Sequence, residues 1–161
     1  MPTGTKVGKA VSWLLCLVLC VGLSSCGFGV WVSALFGGTM SVRVSISPKV
    51  NQESPIQTDV LLVYDELLYK QLMSLTAQEW YEKRSEIRAG YPEGEGFDSW
   101  SWEWTPGQNV APKELPLKVR AVGGIVFANY HTAGPHRLPI DPHSDVKIVY
   151  QEKDFIIEPA K

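Results

Sequence analysis

Residues 57–64 read QTDVLLVY, and within them Val60, Leu61, Leu62 and Val63 put apolar side chains on both faces of an extended chain. Successive side chains of a strand point to opposite faces. A run without alternation therefore predicts a central strand covered on both sides. The next stretch changes period. In residues 65–75, Leu67, Leu68, Tyr69, Leu72 and Leu75 recur at i, i+3 and i+4, which predicts a short helix. Thr76-Ala77-Gln78-Glu79 has the form of a capping box, in which a hydroxyl and a carboxylate satisfy free backbone N–H groups. It predicts a second helix over about 77–88, with one packed side and one wet side across Trp80, Tyr81, Arg84, Ile87 and Arg88. Gly90-Tyr91-Pro92 ends that helix.

Working outward, the flanking segments read as strands. Val42, Val44 and Ile46 alternate with Arg43, Ser45 and Ser47, the period of a half-buried strand closed by Pro48. Residues 49–55, KVNQESP, form a polar loop. Downstream, Trp100, Trp102 and Trp104 alternate with Ser101 and Glu103, so three indoles share one face of one strand. Pro106-Gly107 turns the chain, and residues 110–116, with two prolines, read as an irregular or edge segment. Residues 122–130 form a strongly apolar strand whose glycines allow a bulge or close approach of a neighbour. Residues 136–140, 145–150 and 154–157 complete the set. Seven or eight short strands with two helices after the second predict a mainly β fold, an antiparallel β-sandwich with a two-helix insertion. A parallel α/β fold does not fit, because helices do not alternate with the later strands.

The N-terminal segment has a separate logic. Residues 6–26 read KVGKAVSWLLCLVLCVGLSSC, with Lys6 and Lys9 ahead of an uncharged run that ends in small residues and a cysteine. This is the layout of a secretory signal, to be left out of the fold. Leu23-Ser24-Ser25-Cys26 resembles a bacterial lipobox. That resemblance implies cleavage before Cys26, a diacylglycerol on its thiol and an acyl chain such as palmitate on the new amine. The chain then divides into a signal peptide, residues 1–25, an acylated N-terminus and tether, 26–41, and a periplasmic domain, 42–161. Gly27, where an Asp would resemble the inner-membrane retention signal, points to the outer membrane. The alternative is an uncleaved membrane anchor, since no charge occurs between Lys9 and Arg43 and about 20 apolar residues span a bilayer.

Composition narrows the function classes. The full chain of 161 residues carries a net charge of −2. Losing Lys6 and Lys9 leaves a mildly acidic single domain with no basic excess for nucleic acid. Cys16 and Cys20 leave with the signal and Cys26 takes the lipid, so the domain must be stable through its core alone. No P-loop, nucleophile elbow, zinc-protease helix or Cys-x-x-Cys occurs. His131, His136 and His143, near Asp141 and Asp145, match no ligand spacing. The expectation is therefore a non-enzyme with no metal and no cofactor.

A lipobox, an alternating strand, a loop holding Asn51 and Pro55 and an apolar strand ending Val63-Tyr64 together resemble the TssJ family. So does the later Pro106-Gly107 turn before a Gly-rich strand ending Ala128-Asn129-Tyr130. These are outer-membrane lipoproteins of the type VI secretion membrane complex. The resemblance implies a β-sandwich, no catalysis, and a partner in the periplasmic domain of the inner-membrane channel protein. It also assigns partner binding to the loop between the first two strands, hence to Asn51, Gln52, Glu53 and Ser54. Two other functions remain open. The indoles of Trp100, Trp102 and Trp104 can stack on peptidoglycan sugars or fill the core. The chain can also serve as a pilotin-like lipoprotein of another secretion system.

Overall fold

The computed structural model describes residues 38–91, 94–118 and 120–160. The signal, Cys26 and the tether up to residue 37 lie outside the described residues. In order the elements are β1 (Gly38–Ile46), β2 (Ile56–Val63), α1 (Glu66–Leu72), α2 (Ala77–Ala89), β3 (Phe97–Trp104), β4 (Lys113–Leu117), β5 (Gly123–Ala128), β6 (Arg137–Ile140), β7 (Val146–Tyr150) and β8 (Phe155–Pro159). The strands form two four-stranded sheets, ordered β4-β1-β7-β8 and β3-β2-β5-β6.

The sandwich and its inserted helices match the sequence reading, with two differences. First, β1 begins at Gly38, four residues ahead of the expected start at 42. Thr39 and Ser41 continue the alternation outward while Met40 is buried, so the end of the expected tether belongs to the sheet. Second, β1 and β7 pair in parallel, Val42 opposite Val146 through Ile46 opposite Tyr150, whereas every other pair is antiparallel. A parallel pair needs a long crossover. Here the whole second sheet and both helices supply it.

β2 shows why the chain folds as it does. Ile56, Val60 and Leu62 enter the core between the sheets with Met40, Val42, Val126, Ile148 and Tyr150. Leu61 and Val63 face the other way, against Leu68, Leu72, Trp80, Ile125 and Phe127. The two helices thus form a third layer on the outer face of the second sheet. Asp65 caps α1 by accepting from the Leu68 N–H at 2.7 Å. The capping box of α2 is present: Thr76 Oγ1 accepts from the Glu79 N–H at 3.2 Å, and the Glu79 carboxylate accepts from the Thr76 N–H at 2.8 Å. Those bonds hold the Glu79 carboxyl below its ordinary range. Gly123 lets α1 approach the sheet, since a Cβ there would lie 2.5 Å from the Tyr69 ring.

One charge sits in this apolar interface. Asp59 of β2 is fully buried. Its Oδ2 accepts from Trp80 Nε1 at 2.9 Å and from Arg84 at 3.2 Å, with the Arg88 guanidinium 3.8 Å away. All three donors lie on α2, so the carboxylate fixes how that helix lies on the sheet.

The three indoles of β3 turn into the sandwich. Trp104 is buried, and Trp100 and Trp102 pack half-buried against the same inter-sheet core. Trp102 and Trp104 stack at 5.6 Å. Of the two roles open to this face, the packing is that of core: odd-numbered Ser99, Ser101 and Glu103 face away from it, and the tryptophans pack into it.

Candidate partner interface

One end of the sandwich gathers four connections: residues 47–55, 105–112, 129–136 and 151–154. Ser47 ties the first of them down. Its N–H donates to the Tyr150 carbonyl at 3.0 Å, and its carbonyl accepts from Val50 at 3.1 Å and Gly107 at 3.3 Å. Gly107 has a φ of 68°, a region that favours glycine, and it packs beside Pro48. The Pro106-Gly107 turn therefore props the first loop. Val50 is fully buried and anchors the loop into the core.

Asn51, Gln52 and Glu53 follow in a run of left-handed backbone, with φ of 46°, 58° and 61°. For L-residues this conformation costs roughly 1–2 kcal/mol each, with Asn the most tolerant. Two bonds of the Asn51 amide, one local and one long-range, hold the run. Asn51 Nδ2 donates to the Pro55 carbonyl at 2.9 Å, and Asn51 Oδ1 accepts from the His131 N–H at 2.7 Å. Asn51 is only 1% exposed. The amide of Asn51, one of the four residues expected to bind a partner, is consumed in closing the loop. Gln52 and Glu53 are exposed and Ser54 half-exposed, so of the four expected residues these three stand at the surface. Strain maintained by surrounding structure is characteristic of recognition sites.

The neighbouring loops are equally well tied. Tyr130 donates its hydroxyl to the Asp154 carbonyl at 2.7 Å, and burial holds that phenol well above its ordinary range. The buried ring of His136 sets Nδ1 3.1 Å from Asp154 Oδ1 and Nε2 2.7 Å from the Thr132 carbonyl. The Thr132 hydroxyl donates to the Lys153 carbonyl at 2.8 Å. This end is a rigid platform assembled from distant segments. His131 and His136 belong to it, while His143 follows the far end of β6. Among the described residues no three His, Cys, Asp or Glu side chains come together as metal ligands. Nor does any described helix have the length and apolarity to cross a membrane. Cys26 lies outside the described residues.

No protein-family model and no curated protein matches the chain in sequence. Solved structures do match in fold. The T6SS lipoprotein TssJ1 from Pseudomonas aeruginosa is 12% identical, with a TM-score of 0.61 over 76% of this chain and 96% of that one. Serratia marcescens Lip, described as a membrane-bound component of the type VI secretion system, is 18% identical, with a TM-score of 0.57 over 78% and 98%. A chain of a type VI membrane complex is 16% identical, with a TM-score of 0.58 over 75% and 98%. The chain has a TssJ-like β-sandwich fold, and these neighbours are components of type VI secretion.

Proposed function

We propose that the chain is the lipid-anchored outer-membrane component of a type VI secretion membrane complex. In this reading Cys26 carries the lipid, and the exposed tip of the 47–55 loop grips the periplasmic domain of the inner-membrane component. The observation that carries it is the course of β1. The strand starts at Gly38, where the tether joins, and ends at Ile46, where the loop begins. At about 3.3 Å per residue the two points lie roughly 26 Å apart. A chain held to a membrane at one end thus offers its strained loop on the far side, toward the periplasm. The fold of the neighbours supports the same assignment. Nothing in the reading calls for catalysis: the work is to hold two things together.

Two experiments test it. Cys26→Ser should abolish palmitate labelling and release the protein from the membrane fraction or leave an uncleaved precursor. A wild-type chain that is unlabelled and still spans the inner membrane would overturn the anchor. Separately, Gln52→Ala with Glu53→Ala should weaken binding of the purified periplasmic domain at least tenfold, about 1.4 kcal/mol. Both side chains are exposed, so thermal stability should hold. An unchanged dissociation constant excludes the loop.

A further inference from the structure

Each sheet has two edges, and a bare edge is a template for pairing that proteins usually blunt with short strands or proline. Three of the four edges here are blunted. β4 and β8 have five residues each, with Pro116 and Pro159, and β6 has four, with Pro139. β3 has eight residues and no proline.

The register identifies which β3 groups are free. The Tyr64 N–H donates to the Gly96 carbonyl at 2.9 Å, one step beyond the Val63–Phe97 pair. Hydrogen-bonded pairs alternate along an antiparallel ladder. Asp98, Trp100, Trp102 and Trp104 therefore spend their backbone groups on β2. Phe97, Ser99, Ser101 and Glu103 turn theirs to the open side, where among the described residues they have no backbone partner. Beside this edge lies a hollow of about 440 Å³ lined by Arg88, Tyr91, Phe97, Asp98, Trp100 and Pro116. Trp100 and Trp102 remain half-exposed next to it.

We infer that β3 receives an extended segment of the partner protein as a fifth strand of the sheet. This rests on the anchored, partner-binding reading above. Its main chain pairs with Ser99, Ser101 and Glu103. Apolar side chains at alternate positions of the segment cover Trp100 and Trp102, and polar ones lie on the other face beside Ser101 and Glu103. Main-chain bonds supply affinity and alternate side chains supply selectivity in such strand addition.

A second copy of this chain fits less well. Two β3 edges related by a two-fold axis pair antiparallel, which inverts one copy. Its Gly38 would then stand about 26 Å higher than its neighbour's, by the length of β1. The inverted copy would have to carry the 12 residues from Cys26 to Gly37 across that extra rise to reach the same membrane. A segment of a different chain carries no such cost.

The test uses the full acylated chain in detergent and the purified periplasmic domain of the inner-membrane component. Hydrogen exchange at the amides of Ser99, Ser101 and Glu103 should slow at least tenfold in the complex. Ser101→Pro removes one outward N–H and no bond to β2, so it should melt like the wild type yet bind at least tenfold more weakly, while Ser101→Ala binds normally. Should the proline variant melt early, the exchange measurement on the unaltered chain decides. Binding that depends on Gln52 and Glu53 with unchanged exchange at the three amides overturns the strand addition and leaves the proposed function standing. Protection without the partner, together with a dimer in sedimentation, assigns the edge to a second copy instead. Failure of the domain to bind at all overturns both.

Discussion

Trp80→Ala should lower stability by about 3–5 kcal/mol, the range for deleting a fully buried indole. For a domain of this size that is a drop in melting temperature of roughly 10–20 °C. Trp80 has no exposed surface. It stacks on Phe127 at 5.2 Å and meets Phe97 edge-on at 6.0 Å, so it joins α2 to both β5 and β3. Truncation opens a cavity between helix and sheet and removes one donor from the Asp59 carboxylate. Asp59→Ala should cost less, about 2–3 kcal/mol: breaking a buried pair strands its partner, but Arg84 is 27% exposed and regains water. The paired variant should cost less than the sum, because the two share a hydrogen bond. A Trp80→Ala protein that melts within a few degrees of the wild type would mean that α2 is not docked through this residue.

Trp104→Ala is the second large effect, again about 3–5 kcal/mol, and it separates the two roles offered by the β3 indoles. Trp104 is 4% exposed, whereas Trp100 and Trp102 keep part of their surface, so alanine at those positions should cost about half as much or less. The Trp104 Nε1, the Thr58 hydroxyl and the Tyr150 hydroxyl meet inside the core, but none makes a well-formed hydrogen bond among the described residues. Burial holds the Tyr150 phenol well above its ordinary range, opposed by the nearby Thr58 and Trp104 side chains. Trp104→Phe therefore loses no strong bond and should cost only about 1 kcal/mol. Peptidoglycan pull-down should be the same for wild type and Trp102→Ala. A stable Trp102→Ala variant that loses peptidoglycan would restore the sugar-binding role that the inward-facing rings argue against.

What could be read from the sequence was whatever local spacing controls. β2 was legible because four successive apolar residues fit only a strand covered twice, and the helices were legible because Thr76 and Glu79 cap in three residues' reach. Asp59 was not, since its partners arrive 21 to 29 residues later on a helix face that looks merely amphipathic. The start of β1 was hidden by Gly38 and Thr39, which pair through backbone with Leu117 and Pro116 and need no apolar side chain. The parallel pairing of β1 with β7 depends on two strands about a hundred residues apart and leaves no local trace. Asn51 looked like an exposed loop residue for the same reason: its acceptor role belongs to His131, 80 residues on. Left-handed backbone is hinted at by an Asn, but nothing in Gln52 or Glu53 announces it. The loop itself was legible as a polar segment between two strands, while which of its side chains reach solvent depended on contacts that sequence order does not show.

The course of β1 has a mechanical consequence. If lipid and a partner gripping the 47–55 loop pull against each other, tension enters at Gly38 and leaves beyond Ile46, the two ends of a single strand. The load path is covalent from end to end. The hydrogen bonds to β4 and β7 lie across it, perpendicular or slanted to the strand, and need not bear it. A grip at β8 would instead send the force sideways through the five paired positions between β1 and β7 and load that ladder in shear. Seated at the centre of its sheet and braced on both flanks, β1 acts as a tie rod, and the surrounding sandwich keeps it straight while it is under tension.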